Sequence, residues 1–193
     1  MPIPDPGAFL LAEYKEMRGE ILKRSEFQHQ LISFALVALA GLSGIGLKDA
    51  PLALLAYPMV AAFLATAWAY NDIQIAQLGI YVRYRIEGPL ADKMGWEQFI
   101  ASLPASKEIG ALVKLATRGI FWGTEILALV LYILKRVSTG TPVVPASLDG
   151  DALLMILSVV AVIFTFYTLR NRDATVETIR AAAQVAQADV KRA

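Results

Sequence analysis

Residues 52–70 read LALLAYPMVAAFLATAWAY, nineteen residues without a charge. At ~1.5 Å of rise per residue, a helix of this length nearly spans the ~30 Å hydrocarbon core of a bilayer. Three further apolar runs, 31–47, 119–134 and 152–169, are of similar length, and only 119–134 contains a charge, Glu125. Across the 193 residues, 56% are hydrophobic and 18% charged, too apolar and too unevenly distributed for a water-soluble domain. The reading is an all-α protein: a four-helix integral membrane bundle with long cytoplasmic helical extensions, one domain over residues 1–193. Its expected parts are a cytoplasmic amphipathic helix (1–30), spans at 31–47, 52–70, 119–134 and 152–169, a cytoplasmic helical segment (71–118) and a cytoplasmic helical tail (170–193).

Orientation follows from charge. Short loops rich in Lys and Arg stay on the cytoplasmic side. Segments 1–30, 71–118 and 170–193 carry 15 of the 18 basic residues, against 3 in 48–51 and 135–151. Both termini and the central segment therefore belong on one side, which requires an even number of spans. Trp68, Tyr70, Trp122 and Tyr167 at the inner ends, and Tyr132 at an outer end, suit the headgroup region. The first apolar run follows thirty charge-rich residues, unlike a cleavable leader.

The polar segments read as helices. Leu10, Tyr14, Met17 and Ile21 form one stripe, and Glu20 with Arg24 is a favourable (i, i+4) pair. The acids along this stretch favour packing on other helices over lying on headgroups. No turn residue follows Tyr70 until Gly88-Pro89, so the second span continues to about Glu87. Residues 94–103 read as a short helix, and Ser106 as the N-cap of a helix leading into the third span. The fourth span runs on to about Lys191. Val176, Ile179, Ala183, Ala186 and Val190 keep a heptad-like spacing there, which fits either an intramolecular bundle or self-association.

Little in the chain suggests catalysis, and the protein is read as no enzyme. There are no cysteines and a single histidine, His29, which leaves no cofactor or metal site to expect. The formal charge of +1 provides no bulk attraction to nucleic acid. Glu125 is the one residue that demands a reason, because intramembrane acids are costly and face a protein interior or a water-filled path. It either bridges helices or contributes to a ring of carboxylates lining a pore; Thr66 and Ser158 are candidate partners. Ala61, Ala65 and Ala69 form a small-residue ridge on the second span, and Ala40 with Gly44 another on the first, both suited to close helix packing. Pro58 is expected to bend the second span.

The stretch 13–21, EYKEMRGEI, resembles the leading helix of uncharacterised small bacterial multi-span membrane proteins. Trp68 with 71–75 (NDIQI), 79–81 (GIY), 85–87 (RIE) and 95–97 (GWE) is similar to their second signature. The layout is loosely similar, over residues 10–100, to SLATT-type effectors, two-span proteins found beside antiviral nucleotide-signalling genes. The resemblance implies a membrane-disrupting effector. The lack of catalytic residues, the large cytoplasmic helical portion and Glu125 lead to the expectation of a homo-oligomeric membrane effector or channel in the bacterial inner membrane, gated from its cytoplasmic side. The resemblance also marks Asn71, Asp72, Arg85 and Glu87 as a cytoplasmic polar cluster, and implies the lipid bilayer and a cytoplasmic protein or nucleotide signal as partners. The competing expectation is a non-conducting anchor or scaffold that recruits a cytoplasmic partner.

Reporter fusions test the orientation. Fusions after Ala193 and within 83–107 behave as cytoplasmic, and one inserted at 138–146 as external; an external C-terminus contradicts four spans.

Overall fold

Between Pro6 and Lys48 nothing in the sequence breaks a helix, and Pro6 itself sits at the first helical position, where its missing N–H costs nothing. In the structure, a computed structural model that describes residues 6–48, 50–88, 95, 99, 105–143 and 150–192, these residues form one 43-residue helix, α1 (Pro6–Lys48). It is followed by α2 (Leu52–Tyr81), α3 (Ala105–Ser138) and α4 (Gly150–Arg192). A six-residue π-helical segment, Val82–Glu87, continues α2. The described residues are thus all-helical. α1, α2 with its extension, and α4 are each long and apolar enough to cross a membrane. α3 contains the 16-residue apolar run with Glu125 inside it, and is the most amphipathic of the four.

Contacts divide the chain into two compact units, and every helix contributes to both. One, here the apolar unit, comprises 29–69 and 113–171; the other, the polar unit, comprises 1–28, 70–112 and 172–193.

In the apolar unit all four helices meet. Leu31 and Ala35 of α1, Ala65, Trp68 and Ala69 of α2, Phe121 of α3 and Leu169 of α4 form one buried cluster. Tyr57, Ala61 and Ala128 form a second, covered by Ala38, Leu39 and Leu42 of α1, and Leu54, Leu55 and Tyr132 a third. Ala61, Ala65 and Ala69 lie on the buried face of α2. Small side chains there bring backbones close, which is how helices gain van der Waals contact. Ala40 and Gly44, by contrast, lie on the exposed face of α1. The inward line of α1 runs Leu31, Ala35, Ala38, Leu42 and Gly46, and Ala40 is five residues from Ala35, ~140° round the helix. Gly46 marks the tightest approach: a Cβ there would lie 2.5 Å from Leu54 Cγ.

The helix ends in this unit are closed locally. Lys135 Nζ donates to the carbonyl oxygens of Leu47 (2.7 Å) and Lys48 (3.5 Å), placing a cation on the C-terminal carbonyls of α1. α3 ends with Gly140 at φ 67°, a left-handed residue, and Thr141 N–H reaches back to Arg136 O at 3.1 Å. Arg136 also pairs with Asp151 at 3.6 Å.

Inside α2, Pro58 lacks the N–H that Leu54 O would accept, and its ring opens that turn. Ser158 of α4 donates to Leu55 O at 2.5 Å, so a hydroxyl from a neighbouring helix serves the opened turn.

In the polar unit, α1 and α4 both bond to α2 at Asp72. The wider i→i+5 turns of the π segment turn Val82, Ile86 and Glu87 inward together. Val176 of α4 is also buried. The short helix expected over 94–103 lies mostly outside the described residues; of it, Phe99 N–H bonds to Gly95 O at 2.9 Å. α3 opens at Ala105, one residue before Ser106, whose side chain also lies outside the described residues.

Candidate functional site

Two clusters of polar side chains stand apart from ordinary surface charge, one in each unit.

The first is built on α3 in the apolar unit. Phe121, Glu125, Ala128 and Tyr132 recur at spacings of four and three, and all are buried, so one stripe of α3 faces the other helices. Glu125 has no solvent-accessible surface. Thr165 Oγ1 donates to its Oε1 at 2.7 Å, and its Oε2 is buried with no hydrogen-bond partner. One turn-neighbour away, Tyr57 Oη donates to Thr124 Oγ1 at 2.8 Å, and Thr124 is itself within reach of the carbonyls of Ile120 (2.6 Å) and Phe121 (2.9 Å). The hydroxyls therefore join α3 to α2 and α4. Neither residue expected as a partner for Glu125 meets it. Thr66 donates along its own helix to Ala62 O at 2.8 Å, and the Ser158 hydroxyl lies between Leu55 O (2.5 Å) and Leu154 O of its own helix (2.7 Å). Thr165, two turns further along α4 than Ser158, has the depth that Glu125 requires.

Around this line the apolar unit contains further polar atoms that are buried and unpartnered: Ser43 Oγ, Trp122 Nε1 and Tyr132 Oη. Each such neutral atom costs about 1–3 kcal/mol when it is removed from water without a partner. Trp122 offsets part of this by stacking on Phe166, with ring centroids 4.6 Å apart.

The second cluster is in the polar unit and centres on two consecutive residues of α2. Asn71 is buried; its Nδ2 donates to Arg24 O at 2.7 Å, and its Oδ1 accepts from Arg24 Nη1 at 3.4 Å. Arg24 in turn pairs with Glu20 at 2.7 Å. Asp72 turns to both neighbours. Oδ1 accepts from Gln28 Nε2 of α1 at 3.1 Å, and Oδ2 accepts from Arg172 of α4 through Nε (2.6 Å) and Nη2. The remaining arm of Arg172 reaches Asp173 Oδ1 at 2.5 Å. Burial works against the Arg172 charge, but Asp72, by charge and by hydrogen bond, and Asp173 outweigh it and push its proton affinity above the ordinary value. The arginine is a permanent cation, in a fork that suits carboxylate geometry.

Comparison with family models, with curated proteins and with solved structures finds no match.

Of the four residues marked as a cytoplasmic polar cluster, Asn71 and Asp72 meet in this network. Glu87 is buried elsewhere in the polar unit, packed so closely on Gly95 that a Cβ at residue 95 would overlap its carboxylate. Arg85 is exposed. The partners Arg24, Gln28 and Arg172 escaped sequence reasoning, although one signal was present. Each lies within seven residues of the polar end of an apolar run, as Asn71 and Asp72 do, so three helices bring polar groups to similar distances from their apolar stretches. A second tie between α1 and the end of α2 is Tyr81 Oη donating to Glu13 Oε1 at 2.6 Å, a hydrogen bond that raises the Tyr81 pKa.

Glu125 provides a test of the first cluster by thermal unfolding in detergent. Glu125→Gln keeps the bond from Thr165 and stays within about 0.5 kcal/mol of wild type. Glu125→Leu removes it and lowers stability by about 0.6–2 kcal/mol, the range for a hydrogen bond between helices in an apolar surrounding.

Proposed function

We propose that the chain is a four-span protein of the bacterial inner membrane, with both termini cytoplasmic, acting as a homo-oligomeric membrane effector or channel gated from its cytoplasmic side. The observation that carries this reading is the identity of the helices tied together by Asn71 and Asp72. They are α1, α2 and α4, the same three that are long and apolar enough to cross a membrane. Each of the three is a single helix. A ligand or protein that competes for Asp72 or Arg172 would therefore act on three spans at once, which is a means of gating.

The crossing of α3 is supported by its packing. One face of it is buried against the apolar stretches of the other three helices, so it shares their depth if they are in a bilayer. Charge asymmetry then sets the orientation, since only an even number of spans keeps the basic termini together. Self-association is supported by apolar side chains left exposed in the polar unit, with Phe9 61%, Leu11 54% and Leu22 70% exposed. The resemblance to SLATT-type effectors points the same way, and makes a nucleotide signal the class of trigger to try first.

A second reading, a non-conducting anchor or scaffold that recruits a cytoplasmic partner, is favoured by one observation. Glu125 is buried within a single chain rather than placed on an outer face where a ring of subunits would use it. Current recordings in planar bilayers, with dye entry on overexpression, separate the two. The effector reading expects currents that change when Asp72→Ala breaks the network. Silence in both assays, with the trigger class present, leaves the scaffold.

A further inference from the structure

We infer that Glu125 is a proton-binding site: a single carboxyl, enclosed by one chain's four helices, that takes up and releases a proton without leaving its place. The inference does not depend on conduction.

The surroundings select the ligand. A carboxyl group with no exposed surface and one hydroxyl partner has half of its bonding capacity unused, because Oε2 is buried without a partner. A vacancy of one oxygen suits a proton. A metal ion requires several oxygen donors, and the neighbouring hydroxyls are otherwise engaged: Thr124 with Tyr57 and with carbonyls of its own helix, Ser158 with Leu55 O. Among the described residues no group of three or more acids, histidines or cysteines gathers to hold one.

The charges that face the site are equally sparse. From α2 the nearby titratable group is Tyr57, a neutral phenol engaged with Thr124. α4 contributes Thr165, and α1 contributes Ala38, Leu39 and Leu42 to the adjoining cluster. No ion pair involving Glu125 occurs among the described residues, and it is the only charge-bearing residue within the four apolar runs. A carboxylate there would have one hydrogen bond and no counter-ion, in an interior that screens little. The neutral acid retains the Thr165 bond on Oε1 and carries the proton on Oε2. Thr165 is the positioning residue: its hydroxyl donates to Oε1 and leaves Oε2 as the oxygen open to the proton.

Dicyclohexylcarbodiimide, an apolar reagent, reports the protonated state directly. The acid proton moves to one reagent nitrogen, the carboxyl oxygen adds to the central carbon, and rearrangement leaves a stable N-acylurea with no group lost. The intact protein in detergent is treated between about pH 5 and about pH 10, and adducts are located by peptide mass spectrometry. The expected result is an adduct on Glu125 that forms at acid pH and fades as pH rises, as the neutral acid gives way to the carboxylate. It is absent from Glu125→Gln. In Thr165→Val, nearly the same shape without the donor, the pH of the fade shifts, an effect that a purely packing role of Thr165 would not produce. No adduct on Glu125 at acid pH, a yield independent of pH, or a fade unmoved by Thr165→Val each overturns the assignment. A protein that labels as described but passes no current would end the channel reading alone.

Discussion

Asp72 accepts hydrogen bonds from two helices other than its own, and the arrangement of the polar unit depends on that. Long helices that have left an apolar environment have little to hold them in register, since their polar faces are satisfied by water. A carboxylate that receives Gln28 from α1 on one oxygen and the Arg172 fork from α4 on the other supplies a directional constraint. Asn71, the preceding residue, adds a bond to a backbone carbonyl of α1, which no side-chain rearrangement of α1 can evade. Partial burial strengthens each contact, and makes the loss of one partner costly, because the other remains desolvated.

If the apolar unit lies in a bilayer, as proposed, it is held by different physics. Where lipid surrounds helices, apolar side chains gain nothing by meeting one another rather than lipid, and close packing with hydrogen bonds must suffice. Alanines at 35, 61, 65, 69 and 128 provide the first, and the pairs Thr165–Glu125, Tyr57–Thr124 and Ser158–Leu55 O provide the second. Ser158 shows how the two combine: its hydroxyl reaches Leu55 O of α2, next to the carbonyl of Leu54 that Pro58 leaves without its helical donor.

Helical class was legible because four apolar runs, only one of them interrupted by a proline, are long enough for few alternatives, and α1 and α4 each form one helix of 43 residues through the polar-apolar transition. The π-helical turn at Val82–Glu87 was not, since no residue there marks it; a shift from i→i+4 to i→i+5 bonding answers to what Ile86 and Glu87 pack against. Small-residue spacing was ambiguous in the same way. Ala61, Ala65 and Ala69 lie on a buried face, whereas Ala40 and Gly44, equally well spaced, lie on an exposed one, because spacing defines a face without saying which way it turns. Glu125 stood out as a charge in an apolar run, but Thr165 could not be chosen among several hydroxyls until the offset between α3 and α4 was known.

The central claim is that Asp72 and Arg172 bind each other directly and hold α4 to the remainder of the polar unit. A double-mutant cycle measures it: Asp72→Asn, Arg172→Gln and the pair, each followed by reversible unfolding in detergent. The account predicts a coupling energy of about 0.5–3 kcal/mol, the range for residues in contact within one salt-bridge network. Single variants whose effects simply add, with no coupling beyond about 0.3–0.5 kcal/mol, would contradict it.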